Sequence, residues 1–322
     1  MRAVSFFAGV GGIDLAFENA GFNCVWANEI DEYAAQTYRA NFNNKLIVED
    51  IRAIDLTDVP DSEILLAGFP CQAFSVAGYR KGFSDERGNL FFDLMKIIEE
   101  KLPPVLFLEN VKNLVGHDRG KTFRIILEAL EANGYYVKHK ILNSSEYGNI
   151  PQNRERIYIV AFRDEESYHS FEFPQPQALL TELKDFIHYE EKVDMKYYYT
   201  EDGCGFYNQL KENVVNNETT YQWRRVYVRE NKSKVCPTLT ANMGTGGHNV
   251  PLIKAKHGIR KLTPRECFNL QGYPETYKLP EHLSNTRLYK QAGNSVVVPV
   301  VELIATLIMS AMSKSKSKKR AV

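Results

Sequence analysis

Ala3-Val4-Ser5-Phe6-Phe7-Ala8-Gly9-Val10-Gly11-Gly12 begins as an apolar run and ends on three closely spaced glycines. Ala3 to Phe7 predicts a strand and Ile13 to Ala20 a helix. Glycines between two such elements permit a tight turn and close approach of a ligand to the backbone. The alternation continues outward from this stretch. Strands are expected at Cys24–Asn28, Leu46–Val48, Ile64–Ala67, Val105–Leu108, Tyr136–Leu142 and Ile157–Phe162. Helices are expected at Glu32–Asn41, Leu90–Lys101, Thr122–Asn133 and near Val300–Met312. Such a succession predicts an α/β fold, a mostly parallel doubly wound sheet with helices on both faces. Ligands of such sheets bind at the carboxyl ends of the strands.

The chain has 322 residues, 44% hydrophobic and 25% charged, enough for a large core and a second domain or big insertion. Formal net charge is zero, so any electrostatic attraction must come from local distribution. The five cysteines, Cys24, Cys71, Cys204, Cys236 and Cys267, are scattered without metal-ligand spacing. That pattern points to a reducing, intracellular setting and to no structural metal. No apolar stretch of signal-peptide length follows Arg2. The run Val296–Met312, broken by Pro299 and Glu302, reads as a packed helix rather than a membrane span. Lys314, Lys316, Lys318, Lys319 and Arg320 read as a disordered, solubilising tail.

A dinucleotide fingerprint would need glycine five residues after Gly9, where Asp14 stands, and no Gly-Lys-Ser/Thr completes a phosphate loop. Glu29 closes the second strand 20 residues after Gly9, at the spacing where an acid meets ribose hydroxyls. Asp50, after the third strand, is placed to accept from an adenine amino group. Together these residues describe a nucleoside pocket that makes no demand for a pyrophosphate.

Gly68-Phe69-Pro70-Cys71-Gln72 closes the fourth strand with a thiol. A free cysteine is more often a small buried hydrophobe than a nucleophile, so its neighbours decide. Glu109 closes the next strand; on neighbouring strands roughly 4.8 Å apart, thiol and carboxyl would share one cleft. Desolvation is expected to raise the pKa of such an acid, which suits a proton donor. Arg154 and Arg156, in Gln152-Asn153-Arg154-Glu155-Arg156, can supply positive charge, or instead form a surface ion pair with Glu155. The loop Ala73–Asn89 carries Gly78, Gly82, Gly88, Arg80, Lys81 and Arg87 and reads as a closing lid.

These motifs, in this order, resemble those of the C5-cytosine DNA methyltransferases, and most closely their compact bacterial restriction–modification members. Further matches are Arg87-Gly88-Asn89-Leu90-Phe91-Phe92, Glu109-Asn110-Val111, Arg260-Lys261-Leu262-Thr263-Pro264-Arg265-Glu266-Cys267, Gln271-Gly272-Tyr273-Pro274 and Gln291-Ala292-Gly293-Asn294-Ser295-Val296-Val297. The resemblance implies a Rossmann-like S-adenosylmethionine-dependent methyltransferase fold with an inserted target-recognition domain. It implies methyl transfer to C5 of a flipped cytosine in duplex DNA, releasing S-adenosylhomocysteine without a metal. Cys71 would attack C6, Glu109 hold a proton at N3, Arg156 contact O2 and Arg154 support the nucleophile. Phe7, Ala8, Gly9, Val10, Gly11, Gly12, Glu29, Ile30, Asp50, Ile51, Pro70, Leu90, Asn294 and Ser295 would line the cofactor site. Ile30 departs from the family, which often places an aromatic there against the adenine. A monomeric, cytoplasmic bacterial enzyme is implied, with a cognate endonuclease acting on the same site.

The domains expected are 1–164 with about 285–322 for catalysis, about 165–260 for target recognition, and about 261–284 connecting them. Glu165–Glu218 holds twelve acids against four lysines and reads as a face turned away from DNA. In Tyr221–Arg260, Arg224, Arg225, Arg229, Lys232, Lys234, Lys254, Lys256 and Arg260 oppose Glu230 alone. With the Gly-rich run Met243–His248 and the likeness of Cys236–Ala241 to the family's threonine-containing element beside the flipped base, the resemblance implies a DNA-contacting set of Gln72, Ser75, Arg80, Lys81, Arg224, Arg225, Thr238, Thr240, Gly244, Gly246 and Gly247. The competing readings are a tRNA-directed enzyme of the same fold, a non-catalytic DNA-binding regulator and a nicotinamide oxidoreductase.

Overall fold

The computed structural model of the chain describes residues 1–70, 90–245 and 250–321, with side chains as far as 315. The chain divides into two compact units. The first comprises Met1–Leu142, Glu155–Gln175 and Val300–Val322, the second Asn143–Arg154 and Pro176–Pro299. The expected division sent 285–322 back to the first domain; here 285–299 cluster with the second unit.

In the first unit, β1 (Arg2–Phe6), β2 (Asn23–Glu29), β3 (Lys45–Val48), β4 (Ile64–Gly68), β5 (Val105–Val111), β6 (Tyr136–Asn143) and β8 (Glu155–Phe162) form one sheet. Its order is β3-β2-β1-β4-β5-β8-β6. The pairs β2–β3, β1–β2, β1–β4 and β4–β5 are parallel, and β5–β8 is antiparallel. Strands covered on both faces read as continuous apolar runs, and Ile64–Ala67 and Val105–Leu108 are fully buried. Helices α1 (Gly12–Asn19), α2 (Glu32–Arg39), α3 (Leu90–Lys101) and α4 (Lys121–Ala132) follow the expected spans within two residues. Phe17 of α1 lies edge-on to Phe107 of β5 at 5.0 Å, locking that helix onto the sheet.

In the second unit, β9 (Tyr221–Trp223), β10 (Val228–Glu230), β12 (Leu252–Ala255) and β13 (Gly258–Lys261) form an antiparallel sheet ordered β10-β9-β12-β13. Its core gathers Leu210, Val214, Tyr221, Trp223, Leu252 and Ile259. Phe206 stacks on Trp223 at 4.3 Å. The two-residue strands β7 (Gln152–Asn153) and β11 (Cys236–Pro237) pair in parallel. Helices α5 (Pro264–Asn269) and α6 (Asn285–Asn294) carry two of the motif segments.

The last helix, α7 (Val298–Ala321), runs past its expected end at Met312. Lys314–Arg320 therefore continues a helix rather than forming a disordered tail; no glycine or proline after Pro299 interrupts it. Val300, Val301, Ile304, Ala305, Ile308 and Ala311 are fully buried. Their spacing is that of a helix face against a core, which accounts for a segment long and apolar enough to cross a membrane.

Candidate active site

The glycine turn after β1 is wound tightly. Phe7, Gly9 and Gly11 have φ of 54°, 56° and 80°. A phenylalanine in the left-handed region is strained, and such strain persists only where the surroundings hold it. Here Ala8 N donates to Asn28 O at 3.0 Å and Gly11 N to Ala8 O at 2.8 Å. A Cβ on Gly11 would meet Phe42 at 2.3 Å, whereas one on Gly9 would meet nothing within 4 Å among the described residues. Gly11 is thus required by packing, and Gly9 leaves backbone open to a ligand.

Glu29, at the end of β2, closes this turn from the other side. Its Oε2 accepts from Gly9 N at 2.7 Å; its Oε1 accepts from Ile30 N at 2.9 Å and Asp31 N at 2.7 Å. A carboxylate offers about four acceptor sites, so one remains on Oε2 for a ribose hydroxyl. Ile30, 62% exposed, presents an apolar face beside it. Asp50 caps the turn Ile51–Ala53 and is paired with Arg52, which holds its carboxyl at about 2. Leu90 starts α3 and is half-buried. These residues fit a nucleoside carrying hydroxyls and an exocyclic amine.

Asp14, the residue that breaks the dinucleotide fingerprint, is completely buried. Ser5 Oγ and Tyr38 Oη donate to it at 2.9 and 2.8 Å. Burial pushes its pKa up to about 6 against the lowering effect of those bonds. The first turn of α1 also favours negative charge there.

At the centre of the sheet, register sets Gly68 opposite Glu109, Glu109 opposite Tyr158, and Val111 opposite Arg156. Arg156 Nε lies 3.1 Å from Glu109 Oε1, both side chains largely buried. Asn110, buried beside them, donates to Phe69 O at 2.8 Å and so pins the backbone two residues before Cys71. Strands β4 and β5 are neighbours as expected, and the segment leading to the thiol leaves the sheet next to Glu109. Cys71, Gln72, Ser75, Arg80, Lys81, Gly246, Gly247 and the loop Ala73–Asn89 lie outside the described residues. Pro70, just before them, is exposed.

Neither arginine forms the ion pair with Glu155 that surface chemistry would suggest; Glu155 pairs with Lys112 at 2.8 Å. Arg154, 2% exposed, donates to Leu239 O at 2.7 Å, Gly293 O at 3.0 Å and Ser295 O. It knits three segments of the second unit together. Asn294 and Ser295 lie in that unit, where Ser295 Oγ is 2.5 Å from Tyr273 Oη.

The charge reading of the second unit needs correction. Arg260 is fully buried and donates two hydrogen bonds to Glu266, at 2.7 and 2.8 Å, so it is unavailable to phosphates. Glu266 also forms a capping box with Thr263 at the start of α5, which gives Arg260–Glu266 a folding role. Lys234 pairs with Glu218 and Lys256 with Glu190, so acids counted on a separate face neutralise part of the basic stretch. Gly244 faces Tyr289 and Thr286, with a Cβ there 2.9 Å from Tyr289; packing requires that glycine. Thr238 Oγ1 donates to Asn153 O at 2.5 Å and exposed Thr240 to Asn242 at 2.8 Å. Arg224 and Arg225 are exposed on the β9–β10 hairpin.

A family model of the C-5 cytosine-specific DNA methylases matches residues 1–310. The chain belongs to that family. As a DNA cytosine-5-methyltransferase it belongs with enzymes that use S-adenosylmethionine. It is 64% identical over 314 residues to the Type II methyltransferase M.Bsp6I of Bacillus sp. (strain RFL6), covering 97% of this chain and 99% of that one. It is 39% identical to the Type II methyltransferase M.HhaI of Haemophilus parahaemolyticus, over 97% and 95% of the two chains. The S. pombe Dnmt2 methyltransferase shares its fold, with a TM-score of 0.74 over 97% of this chain and 99% of that one, at 21% identity. The Rossmann-like methyltransferase fold is therefore the observed one. Asn110 and Arg52 were missed in the sequence: an asparagine inside a strand motif and an arginine two residues after an acid look unremarkable until their partners are seen.

Proposed function

We propose that this methyltransferase works through a covalent Cys71–C6 adduct on a cytosine swung out of duplex DNA. The observation that carries this is the Glu109–Arg156 pair at the end of β5, beside the backbone that Asn110 fixes before Cys71. The thiolate of Cys71 forms the S–C6 bond, and the C5=C6 electron pair moves to C5. Glu109 holds a proton at N3 and thereby accommodates the electron density displaced into the ring. Arg156, fixed against Glu109, contacts O2. Bound S-adenosylmethionine would supply an electrophilic methyl group; the electron pair on C5 forms the C5–CH3 bond, and the S–CH3 pair stays with S-adenosylhomocysteine. Water takes the C5 proton, the C5–H pair restores C5=C6, and the S–C6 pair departs with the Cys71 thiolate. Arg154 acts at one remove, by holding the segments around Leu239 and Gly293.

Phe7 to Gly12, Glu29, Ile30, Asp50, Ile51, Pro70 and Leu90 would hold the cofactor: Glu29 through one ribose hydroxyl, Asp50 through the adenine amine and Ile30 against its ring. Exposed Arg224 and Arg225 would meet DNA, with Thr238 and Thr240 beside the flipped base. The Type II names of the two bacterial relatives support a role as the methylase of a restriction–modification system, paired with an endonuclease of the same specificity. A monomeric enzyme of the bacterial cytoplasm suits that role. Cys71→Ser is expected to abolish methyl transfer while retaining specific DNA binding; unchanged turnover in this variant would sink the mechanism.

A further inference from the structure

Asp50 is engaged on three sides by one neighbour. Its Oδ1 accepts from Arg52 N at 3.0 Å and Arg52 Nε at 2.9 Å, and its Oδ2 accepts from Arg52 Nη2. Of about four acceptor sites on a carboxylate, one on Oδ2 is left. The Asp50 carboxylate, through its hydrogen bonds and charge, strengthens the hold of Arg52 on its proton, and the charge of Asp93, buried in the first turn of α3, adds a smaller effect in the same direction. Asp93 Oδ1 takes Lys96 at 2.8 Å; its Oδ2 is buried without a partner among the described residues. Ile51 packs in one core cluster with Phe91 and Leu94, which fixes the Asp50 turn against this helix.

We propose that Arg52 is a positioning residue for the adenine of the cofactor: it holds the Asp50 carboxylate in one orientation, leaving a single Oδ2 lone pair for the exocyclic amine. The inference rests on the reading of Asp50 as the adenine acceptor. The guanidinium fork matters, because its rigid, planar donors fix both oxygens in one orientation, which the rotating donors of an ammonium do not.

The test is calorimetric binding of S-adenosylhomocysteine and of S-inosylhomocysteine, whose ring carries a carbonyl oxygen in place of the amine. Arg52→Ala is expected to weaken S-adenosylhomocysteine binding by about tenfold and to bring the preference over the inosine analogue towards unity. At saturating cofactor, kcat should stay within about twofold, and Arg52→Lys should not restore the preference. In an Asp50→Ala background, Arg52→Ala should change neither affinity further. If Asp50→Ala loses the preference and Arg52→Ala keeps it, the role of Arg52 is overturned alone. If Asp50→Ala itself keeps the preference, the reading of Asp50 falls, and this proposal with it.

Discussion

Arg156 Nε and Glu109 Oε1 stand 3.1 Å apart across the β5–β8 pair, an antiparallel pairing that adjoins the parallel run β3-β2-β1-β4-β5. An antiparallel β8 is what allows a residue near its start to reach an acid near the end of β5. Removing one partner of a largely buried charge pair leaves the other uncompensated. Arg156→Ala is expected to lower kcat/KM by about 100-fold or more, equivalent to about 2.7 kcal/mol. Steady-state methylation of a defined duplex checks this, and Arg156→Lys should recover little of the loss.

Arg154 should behave differently although it is two residues away. Its guanidinium serves three backbone carbonyls in the second unit, so its loss is first a loss of folding. Arg154→Ala is expected to cost roughly 3–5 kcal/mol and to lower the thermal midpoint clearly. Arg156→Ala, which removes the ion-pair partner of Glu109, should lower that midpoint too, but by less, since Arg156 holds one carboxylate and one carbonyl and does not tie separate segments together. Calorimetry on the two variants separates the roles.

Asp14 ties stability to pH. Its folded pKa of about 6 lies above the ordinary 3.8, because burial disfavours the charged form. The folded state therefore binds the proton more tightly. This contribution is fully present below the unfolded value and is lost as pH rises from about 4 through 6. Asp14→Asn removes that slope. Urea midpoints should shift in favour of the variant across this window and run parallel above it.

The two glycines of the first turn should fail in different ways. Gly11→Ala drives a Cβ to within 2.3 Å of Phe42 at a φ of 80°, so unfolding stability should fall by about 1–3 kcal/mol. Gly9→Ala meets no atom of the described residues within 4 Å, so at a φ of 56° it should cost only the strain of a left-handed alanine, about 1 kcal/mol, and in addition weaken S-adenosylhomocysteine binding. Thermal unfolding and calorimetric titration of both variants test the contrast.

The sheet was legible in the sequence because its strands are short apolar runs punctuated by glycine and acid, and β4 and β5 prove to be neighbours. Glu29 ends β2 and Asp50 follows β3 by two residues, which is where the apolar runs put them. The side-chain partners were not. The apolar pattern cannot say that Arg154 turns inward to carbonyls or that Arg260 disappears into a pair with Glu266, because a buried arginine looks like an exposed one until its acceptors are known. The charge blocks of the second unit misled for a related reason: Glu218 and Lys234 are distant in the count but adjacent in space. Local propensity also set the limit at the end of α7, where a lysine–serine repeat reads as disorder yet continues a helix.

The central claim is methylation of DNA cytosine at C5 through Cys71. Bisulfite sequencing of DNA from cells expressing the wild-type protein and Cys71→Ser tests it most directly. The expected result is protected cytosines at one recurring sequence context with the wild-type protein, and none above background with the variant. No protected cytosine in any context with the wild-type protein, or the same protection with Cys71→Ser, would contradict it.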